Sequence, residues 1–182
     1  MNSRRLVILS GPSGIGKNTL ISRLTSASPS SFVVPLTTRP RREEELDGRD
    51  YRFLDRNEFQ AMIADGRMLY WDYTLGHYYG FDAQIDADTS VITHALSRMA
   101  LRIKRSDDEV VLVFLKPRDE ALHLARLHSR FPDPHEFEGR RKHVEEELVH
   151  SPLFDHVLAV SGAEEAVASE HEGLWKLLGF LR

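Results

Sequence analysis

Cysteine is absent from the 182 residues of the sequence, which excludes disulfides, thiolate metal sites and a cysteine nucleophile. No apolar stretch approaches the length of about 20 residues that spans a bilayer, and the first apolar run is too short for the core of a signal peptide. The net charge is −4, whereas general nucleic-acid binders carry a basic excess. We therefore expect a cytoplasmic protein that binds neither membranes nor nucleic acid.

Short apolar runs alternate with helical patterns along the chain. Residues 6–9 and 110–115 are continuously apolar, which is typical of strands buried on both faces, and residues 164–178 are predicted to form a closing helix. Alternating strands and helices predict an α/β fold in which helices cover both faces of a parallel sheet. The length suits one domain, residues 1–182, better than two.

A glycine-rich segment follows the first predicted strand and precedes a helical pattern. It reads Gly11-Pro12-Ser13-Gly14-Ile15-Gly16-Lys17. In such a loop, glycines let backbone N–H groups converge on phosphate oxygens, and the lysine reaches the β- and γ-phosphates. The alternative is a plain turn, but the flanking strand and helix are those that the motif requires. We predict that ATP is bound by Ser13, Gly14, Ile15, Gly16, Lys17, Asn18 and Thr19.

The residue after the lysine departs from this motif. A serine or threonine normally binds Mg²⁺ there through its hydroxyl, whereas this sequence has Asn18. An amide oxygen is also a hard ligand for Mg²⁺. Asn18 is therefore predicted to be a metal ligand, and Thr19 is expected to point elsewhere on the helix.

Further motifs follow in a consistent order. They are Thr-Thr-Arg-Pro-Arg-Arg at 37–42, Asp-Gly-Arg-Asp-Tyr-Arg-Phe at 47–53, Gly-His-Tyr-Tyr-Gly at 76–80, and a run of arginines from 126 to 141 before Glu147. With the glycine-rich loop, they resemble the guanylate kinase family over most of the chain. The resemblance implies a P-loop kinase with ATP and Mg²⁺ as cofactors and a small phosphorylated acceptor; the family reaction is ATP + GMP to ADP + GDP. It also implies a core (1–34 and 82–182), an acceptor-binding insert (35–81) and a lid (126–147).

The same resemblance assigns roles to single residues. It assigns binding of the acceptor phosphate to Arg39, Arg42, Tyr51 and Tyr79. The assignment suits the chemistry, because guanidinium groups bind phosphate bidentately and tyrosine hydroxyls add neutral donors. The alternative is a solvated loop in which the arginines pair with glutamates 43–45.

On the lid, the resemblance assigns Arg126 to ATP, and Arg130 and Arg141 to the transferring phosphate; the alternative is that these arginines face solvent. Phosphoryl transfer depends more on positioning of the reacting groups and on positive charge around the transferring group than on covalent catalysis. The predicted catalytic residues are Lys17, Arg42, Arg130 and Arg141.

The acceptor side departs from the family where guanine is read. The family has a glutamate where this sequence has Tyr70, a serine or threonine where it has Phe81, and a serine where it has Pro35. Tyr70 cannot form the bidentate pair that a carboxylate makes with a base, and the other two have no hydrogen-bonding side chain. We predict that these three line an altered acceptor pocket. The family also has two aspartates after a buried strand; the nearest match is 91–95, and His94 is interpreted as a packed or surface histidine rather than a metal ligand.

Two alternatives stay open. Ribose 1,5-bisphosphate phosphokinases resemble guanylate kinases, lack the guanine readers and tend to have aspartate after the P-loop lysine; residues 84–86 and 97–98 match their segments, whereas 37–39 and 50–51 favour guanylate kinase. Non-catalytic guanylate-kinase-like modules bind phosphorylated partners, but they typically have a damaged phosphate loop, and Lys17 is present here. We expect an ATP-dependent kinase that acts on GMP, another nucleoside monophosphate or a sugar phosphate.

Overall fold

The computed structural model describes residues 6–27, 31–82 and 91–161. The predicted helix at 164–178 and the segment at 84–86 lie outside these residues. In chain order the elements are β1 (Leu6–Ser10), α1 (Lys17–Ala27), β2 (Ser31–Phe32), β3 (Leu36–Thr37), β4 (Arg52–Phe53), α2 (Arg56–Ala64), β5 (Met68–Thr74), β6 (His77–Asp82), β7 (Val91–His94), α3 (Ser97–Ser106), β8 (Val111–Pro117), α4 (Glu120–Arg130), α5 (Pro134–Val149) and β9 (His156–Val160).

Five strands form a parallel sheet in the order β2-β7-β1-β8-β9. The central strand β1 is buried on both faces, with Val7, Ile8 and Leu9 at most 2% exposed, because helices pack on each side of a parallel sheet. The predicted α/β fold with a parallel sheet is confirmed. The carboxyl end of β1 leads into the glycine-rich loop, which therefore lies at the centre of one sheet edge.

Three helices begin directly after an aspartate whose side chain caps them. Asp55 caps α2, and its side chain and that of Glu58 form a reciprocal capping box. Asp119 caps α4, and Asp133 caps α5 with a proline in its first turn. The segment at 131–133, which contains Pro132, separates α4 from α5. Among the described residues, no helix is long and apolar enough to cross a membrane.

A second sheet occupies residues 36–82 and has the order β4-β3-β6-β5. Strands β5 and β6 form an antiparallel hairpin that turns at Leu75 and Gly76, both with positive φ. This sheet is attached to α3 of the core: Arg102 donates to the carbonyl of Trp71 at 2.6 Å, and Phe81 packs with Met99 in one apolar cluster. The second sheet is thereby held against the edge where the glycine-rich loop lies.

Candidate active site

One cleft, of about 710 Å³, lies between the glycine-rich loop and the second sheet. It brings together most of the residues that the sequence predicted for binding and catalysis. These are Ser13, Gly14, Ile15, Gly16, Lys17, Asn18, Thr19, Pro35, Arg39, Arg42, Tyr51, Tyr79 and Arg130.

The backbone of the glycine-rich loop adopts φ angles that residues with a Cβ atom rarely adopt. Gly11, Gly14 and Gly16 have φ angles of +139°, +80° and +99°, in the region that favours glycine. A Cβ on Gly11 would also overlap the carbonyl of Leu115 on the neighbouring strand. The loop therefore keeps its backbone close to the sheet and its N–H groups available for an anion.

Lys17 begins α1 and folds back over the loop. Its Nζ donates to the carbonyls of Gly11 at 2.5 Å and Pro12 at 3.1 Å. Burial lowers the pKa of Lys17 to about 8; Glu147 opposes this shift and Arg42 adds to it. An ammonium group in such surroundings gains from a nearby anion, because phosphate oxygens would offset its desolvation.

Asn18 contacts the second sheet's side of the cleft. Its Nδ2 donates to Oδ1 of Asp50 at 3.0 Å, although the two residues are 32 positions apart. Asp50 also accepts from the N–H of Leu46 at 2.9 Å and from the guanidinium of Arg49. No sequence pattern indicates this contact, which depends on how the second sheet packs against the core.

Arg39 is buried and held by Glu45. Its Nη1 and Nη2 donate to the two carboxylate oxygens at 3.0 and 2.7 Å, and the backbone N–H of Arg42 donates to Glu45 at 2.9 Å. Arg39 is 7% exposed, so it is not solvated as the alternative expected, although it does pair with one of the three glutamates named there. Three of the guanidinium's contacts are internal, counting the carbonyl of Pro40, and its remaining N–H groups are available to a ligand.

The side chain of Arg42 is more exposed than that of Arg39 and has positive surroundings. Burial and the charges of Arg39 and Arg130 lower its pKa; Glu45 opposes this, and Arg140 adds to it. Nη1 of its guanidinium lies 3.6 Å from Oε1 of Glu45. The cleft around Arg42 is therefore a place where an anion is stabilised.

Two tyrosines complete this side of the cleft. The rings of Tyr51 and Tyr79 meet edge to face with centroids 6.2 Å apart, and the guanidinium of Arg39 lies 5.4 Å from the Tyr51 centroid. Burial raises the pKa of Tyr51, and the neighbouring Tyr79 adds to the shift, so its hydroxyl keeps its proton and can donate. Tyr78 stacks on Phe59 with ring centroids 5.2 Å apart.

The lid arginines require a correction. Arg130 lines the cleft and pairs with Glu44, but Arg141 lies on the outer face of α5, where it pairs with Glu138 at 2.8 Å and with Glu145. Arg140 lines the cleft in its place. Its guanidinium stacks 4.5 Å from the ring centroid of Phe131, and Arg42 and Arg130 lie 5.9 Å from the same ring.

The predicted acceptor pocket also requires a correction. Pro35 lines the cleft, but Phe81 is 1% exposed within a core cluster, and Tyr70 packs against that cluster. The hydroxyl of Tyr70 lies 2.6 Å from Oγ of Ser106 at the end of α3. Both aromatic side chains are used to hold the second sheet on the core. Arg126, predicted to bind ATP, lies outside the cleft on α4 and donates to the carbonyl of Ser161 at 2.7 Å.

His94 ends β7 on the floor of the cleft and is 3% exposed. As expected for a packed histidine, it stacks on Phe32 at 6.0 Å and meets Tyr51 edge to face at 5.0 Å. Burial and the charge of Lys17 lower the pKa of His94 to about 3, so the ring is neutral. In the described part of the chain, no group of three histidines or acidic residues is placed to hold a metal.

A phosphate-binding loop at the carboxyl edge of a parallel sheet, facing an arginine-rich cleft, defines a P-loop kinase. The guanylate kinase family model matches residues 3–177. A guanylate kinase of Gloeobacter violaceus is 37% identical over 90% of this chain and 84% of the relative, and one of Enterococcus faecalis is 33% identical over 96% and 93%.

The fold is also that of a guanylate kinase from Anaplasma phagocytophilum, with a TM-score of 0.75 at 22% identity over 98% of this chain and 86% of the other. The chain therefore belongs to the guanylate kinase family. The predicted family and the prediction of an ATP-dependent kinase are both confirmed.

Proposed function

We propose that this protein transfers the γ-phosphoryl group of ATP to the phosphate of a nucleoside monophosphate, with GMP as the first candidate. The observation that carries the proposal is the convergence of one lysine and six arginines on a single cleft. They are Lys17, Arg23, Arg39, Arg42, Arg49, Arg130 and Arg140. The carboxylates that line the cleft, those of Glu44, Glu45 and Asp50, are fewer than these basic side chains, and two bound phosphorylated ligands would offset the remaining positive charge.

The donor half consists of the loop at residues 13–19. Its backbone N–H groups and the start of α1 would hold the phosphates of ATP, and Lys17 would leave its two carbonyl partners for them. Mg²⁺ fits beside it through the amide oxygen of Asn18, because this cation needs few protein ligands when phosphates supply others. When bound, it would neutralise charge on the β- and γ-phosphates.

The acceptor half consists of the clamp formed by Arg39, Arg42, Tyr51 and Tyr79. These side chains would hold the acceptor phosphate so that one of its oxygens attacks the γ-phosphorus as the bond to the β–γ bridging oxygen breaks and ADP leaves. We keep residues 35–81 as the acceptor-binding insert, and residues 126–147 as the lid within a core formed by the rest of the chain.

The lid supplies the remaining positive charge. Arg130 and Arg140 lie on the two helices that flank residues 131–133, so closure of this segment would bring both to the transferring group and exclude water. We assign this role to Arg140 rather than Arg141. Arg126, outside the cleft on α4, would reach ATP only after such a movement.

The base of the acceptor is read differently from the family pattern. GMP is favoured by the curated relatives, which are guanylate kinases. Neither Tyr70 nor Phe81 lines the cleft, and Pro35, which does, has no hydrogen-bonding side chain, so weaker discrimination between bases is favoured. Loss of one bidentate base contact costs about 1–3 kcal/mol, so we propose that GMP is used with a narrower margin over other nucleoside monophosphates.

The test is ADP release from Mg²⁺-ATP with GMP, dGMP, AMP, CMP, UMP and ribose 1,5-bisphosphate, with Lys17→Ala as the matched inactive variant. Turnover with GMP that Lys17→Ala abolishes would support the proposal. Turnover with the sugar bisphosphate alone would replace the nucleotide acceptor, and binding of acceptors without turnover would indicate a non-catalytic module. Full activity of Lys17→Ala would contradict the donor site.

A further inference from the structure

The hydrogen bond between Asn18 and Asp50 joins the two halves of the cleft. Asn18 is the second residue of α1, within the phosphate loop motif, whereas Asp50 belongs to the segment that contains the acceptor clamp. Tyr51 follows Asp50 directly. The contact is therefore a side-chain link between the donor loop and the residues assigned to the acceptor phosphate.

Asp50 organises the turn that carries Tyr51. Its Oδ2 accepts from the N–H of Leu46 at 2.9 Å and from Arg49 at 2.7 Å, leaving Oδ1 for Asn18 at 3.0 Å. The NH₂ group of Asn18 faces this carboxylate, because the amide nitrogen is the donor of the bond. The amide oxygen of Asn18 consequently faces away from Asp50.

The position of Tyr51 affects the rest of the clamp. Its ring contacts the ring of Tyr79 with centroids 6.2 Å apart, and the guanidinium of Arg39 lies 5.4 Å from its centroid. A shift of the turn at residues 46–50 would therefore displace Tyr51 and disturb its contacts with both neighbours. A link that fixes Asp50 fixes these contacts as well.

We propose that Asn18 is a positioning residue for the acceptor: by holding Asp50, it keeps Tyr51 and its neighbours in place for the acceptor phosphate. This inference rests on the proposed function, because Tyr51 is assigned there to the acceptor. A serine, which the phosphate loop motif expects at this position, is shorter by the amide group and would not reach Asp50. Asparagine therefore gives this chain a connection that the usual motif residue lacks.

The decisive variant is Asn18→Ser, which restores the motif residue. Because serine keeps a metal-binding oxygen, we expect the KM for ATP to change by less than about twofold, whereas the KM for GMP rises about tenfold, the loss of one hydrogen bond to a charged group. The kcat at saturating GMP should stay within about threefold, because bound acceptor restores the clamp. Asn57→Ser, on the exposed side of α2, is the matched control and should leave all three constants unchanged.

Variants of the partner separate positioning from a general loss of structure. Asp50→Asn keeps an oxygen for Nδ2 of Asn18 and should retain most of the affinity for GMP, whereas Asp50→Ala should match or exceed Asn18→Ser. The double variant Asn18→Ser with Asp50→Ala should lose no more than Asp50→Ala alone, because the same contact is removed. Circular dichroism and urea unfolding would show that each variant is folded.

An unchanged KM for GMP in Asn18→Ser would overturn the inference, as would additive losses in the double variant. A change confined to the KM for ATP would also overturn it, since Asn18 would then act only within its own loop. If the wild-type protein turned over no acceptor, the proposed function would fail first; calorimetric binding of GMP by wild type and Asn18→Ser would then decide the inference. Equal affinities, or no binding by either, would contradict it.

Discussion

Arg140 and Arg141 are neighbours on α5, but their guanidinium groups lie in different surroundings. Arg140 stacks over Phe131 at 4.5 Å and lines the cleft, whereas Arg141 forms ion pairs with Glu138 and Glu145 along the outer face. Glu147 is buried and hydrogen-bonds Ser97 on the core, and it follows Arg140 by two helical turns. The side of α5 that faces the core is therefore the side that carries Arg140.

This difference predicts the kinetics of two single variants. Arg140→Ala should lower kcat by about 10²–10³-fold, because an arginine that stabilises the transferring phosphoryl group is worth at least that much. Arg141→Ala, its matched neighbour, should leave kcat within about twofold. Steady-state ADP release measures both kcat values. A larger loss of kcat in Arg141→Ala than in Arg140→Ala would show that Arg141 turns into the cleft on closure.

A second prediction concerns the buried pair of Arg39 and Glu45. Glu45→Gln removes the negative charge that offsets Arg39, so it should lower the free energy of unfolding by about 2 kcal/mol and raise the KM for GMP. Urea unfolding and initial rates measure the two effects. Glu43→Gln, at an exposed position in the same segment, is the control and should change neither.

The same pair has a defined pH dependence. Burial alone would raise the pKa of Glu45, but the side chain of Arg39 and the backbone of Arg42 hold it below its ordinary value of 4.5. Its stabilising contribution is therefore present above pH 4.5 and is lost as the pH falls through the folded-state pKa. The stability difference between wild type and Glu45→Gln should shrink on acidification; a constant difference down to the acid transition would contradict the lowered pKa.

A third prediction follows from Lys17. Its pKa of about 8 in the free protein means that the ammonium form, which binds phosphate, is depleted as the pH rises above 8. Binding an anion raises the pKa again, so the affinity for a non-hydrolysable ATP analogue should fall up to about tenfold per pH unit between pH 8 and 9.5. Calorimetry measures this affinity as a function of pH. The Lys17→Met variant should bind the analogue more weakly, and its affinity should not fall over this pH range. A flat wild-type profile would contradict the shift.

Much of the donor half could be predicted because its signals are local. The glycines at 14 and 16, Lys17 and the flanking apolar strand are contiguous in sequence, and their backbone and hydrogen-bonding requirements are properties of the segment itself. The alternation of strands and helices likewise predicts a parallel sheet without knowledge of long-range contacts. Family resemblance added Arg39 and Tyr51, which the structure brings into the same cleft.

The features of the site that could not be predicted from the sequence depend on how separate helices and strands pack together. The face that α5 presents to the core selects Arg140 over Arg141, although the spacing from Glu147 contained that information. The direction of Tyr70 depends on an irregular register at the start of β5 and on packing against α3, neither of which is a local property. The bond between Asn18 and Asp50 joins residues 32 positions apart, and no pattern in the sequence connects them.

The last prediction separates Pro35 from Tyr70 as positions that affect base selection. Tyr70 contacts α3 rather than the cleft, so Tyr70→Phe should leave the KM for GMP unchanged, and Tyr70→Glu should lower stability because it places a carboxylate against an apolar cluster. Pro35 lines the cleft. Pro35→Ser adds a hydroxyl there and should lower the KM for GMP about fivefold, which is the effect of one neutral hydrogen bond. The KM for AMP should not change. A gain in GMP affinity from Tyr70→Glu, and none from Pro35→Ser, would show that the base approaches α3 instead.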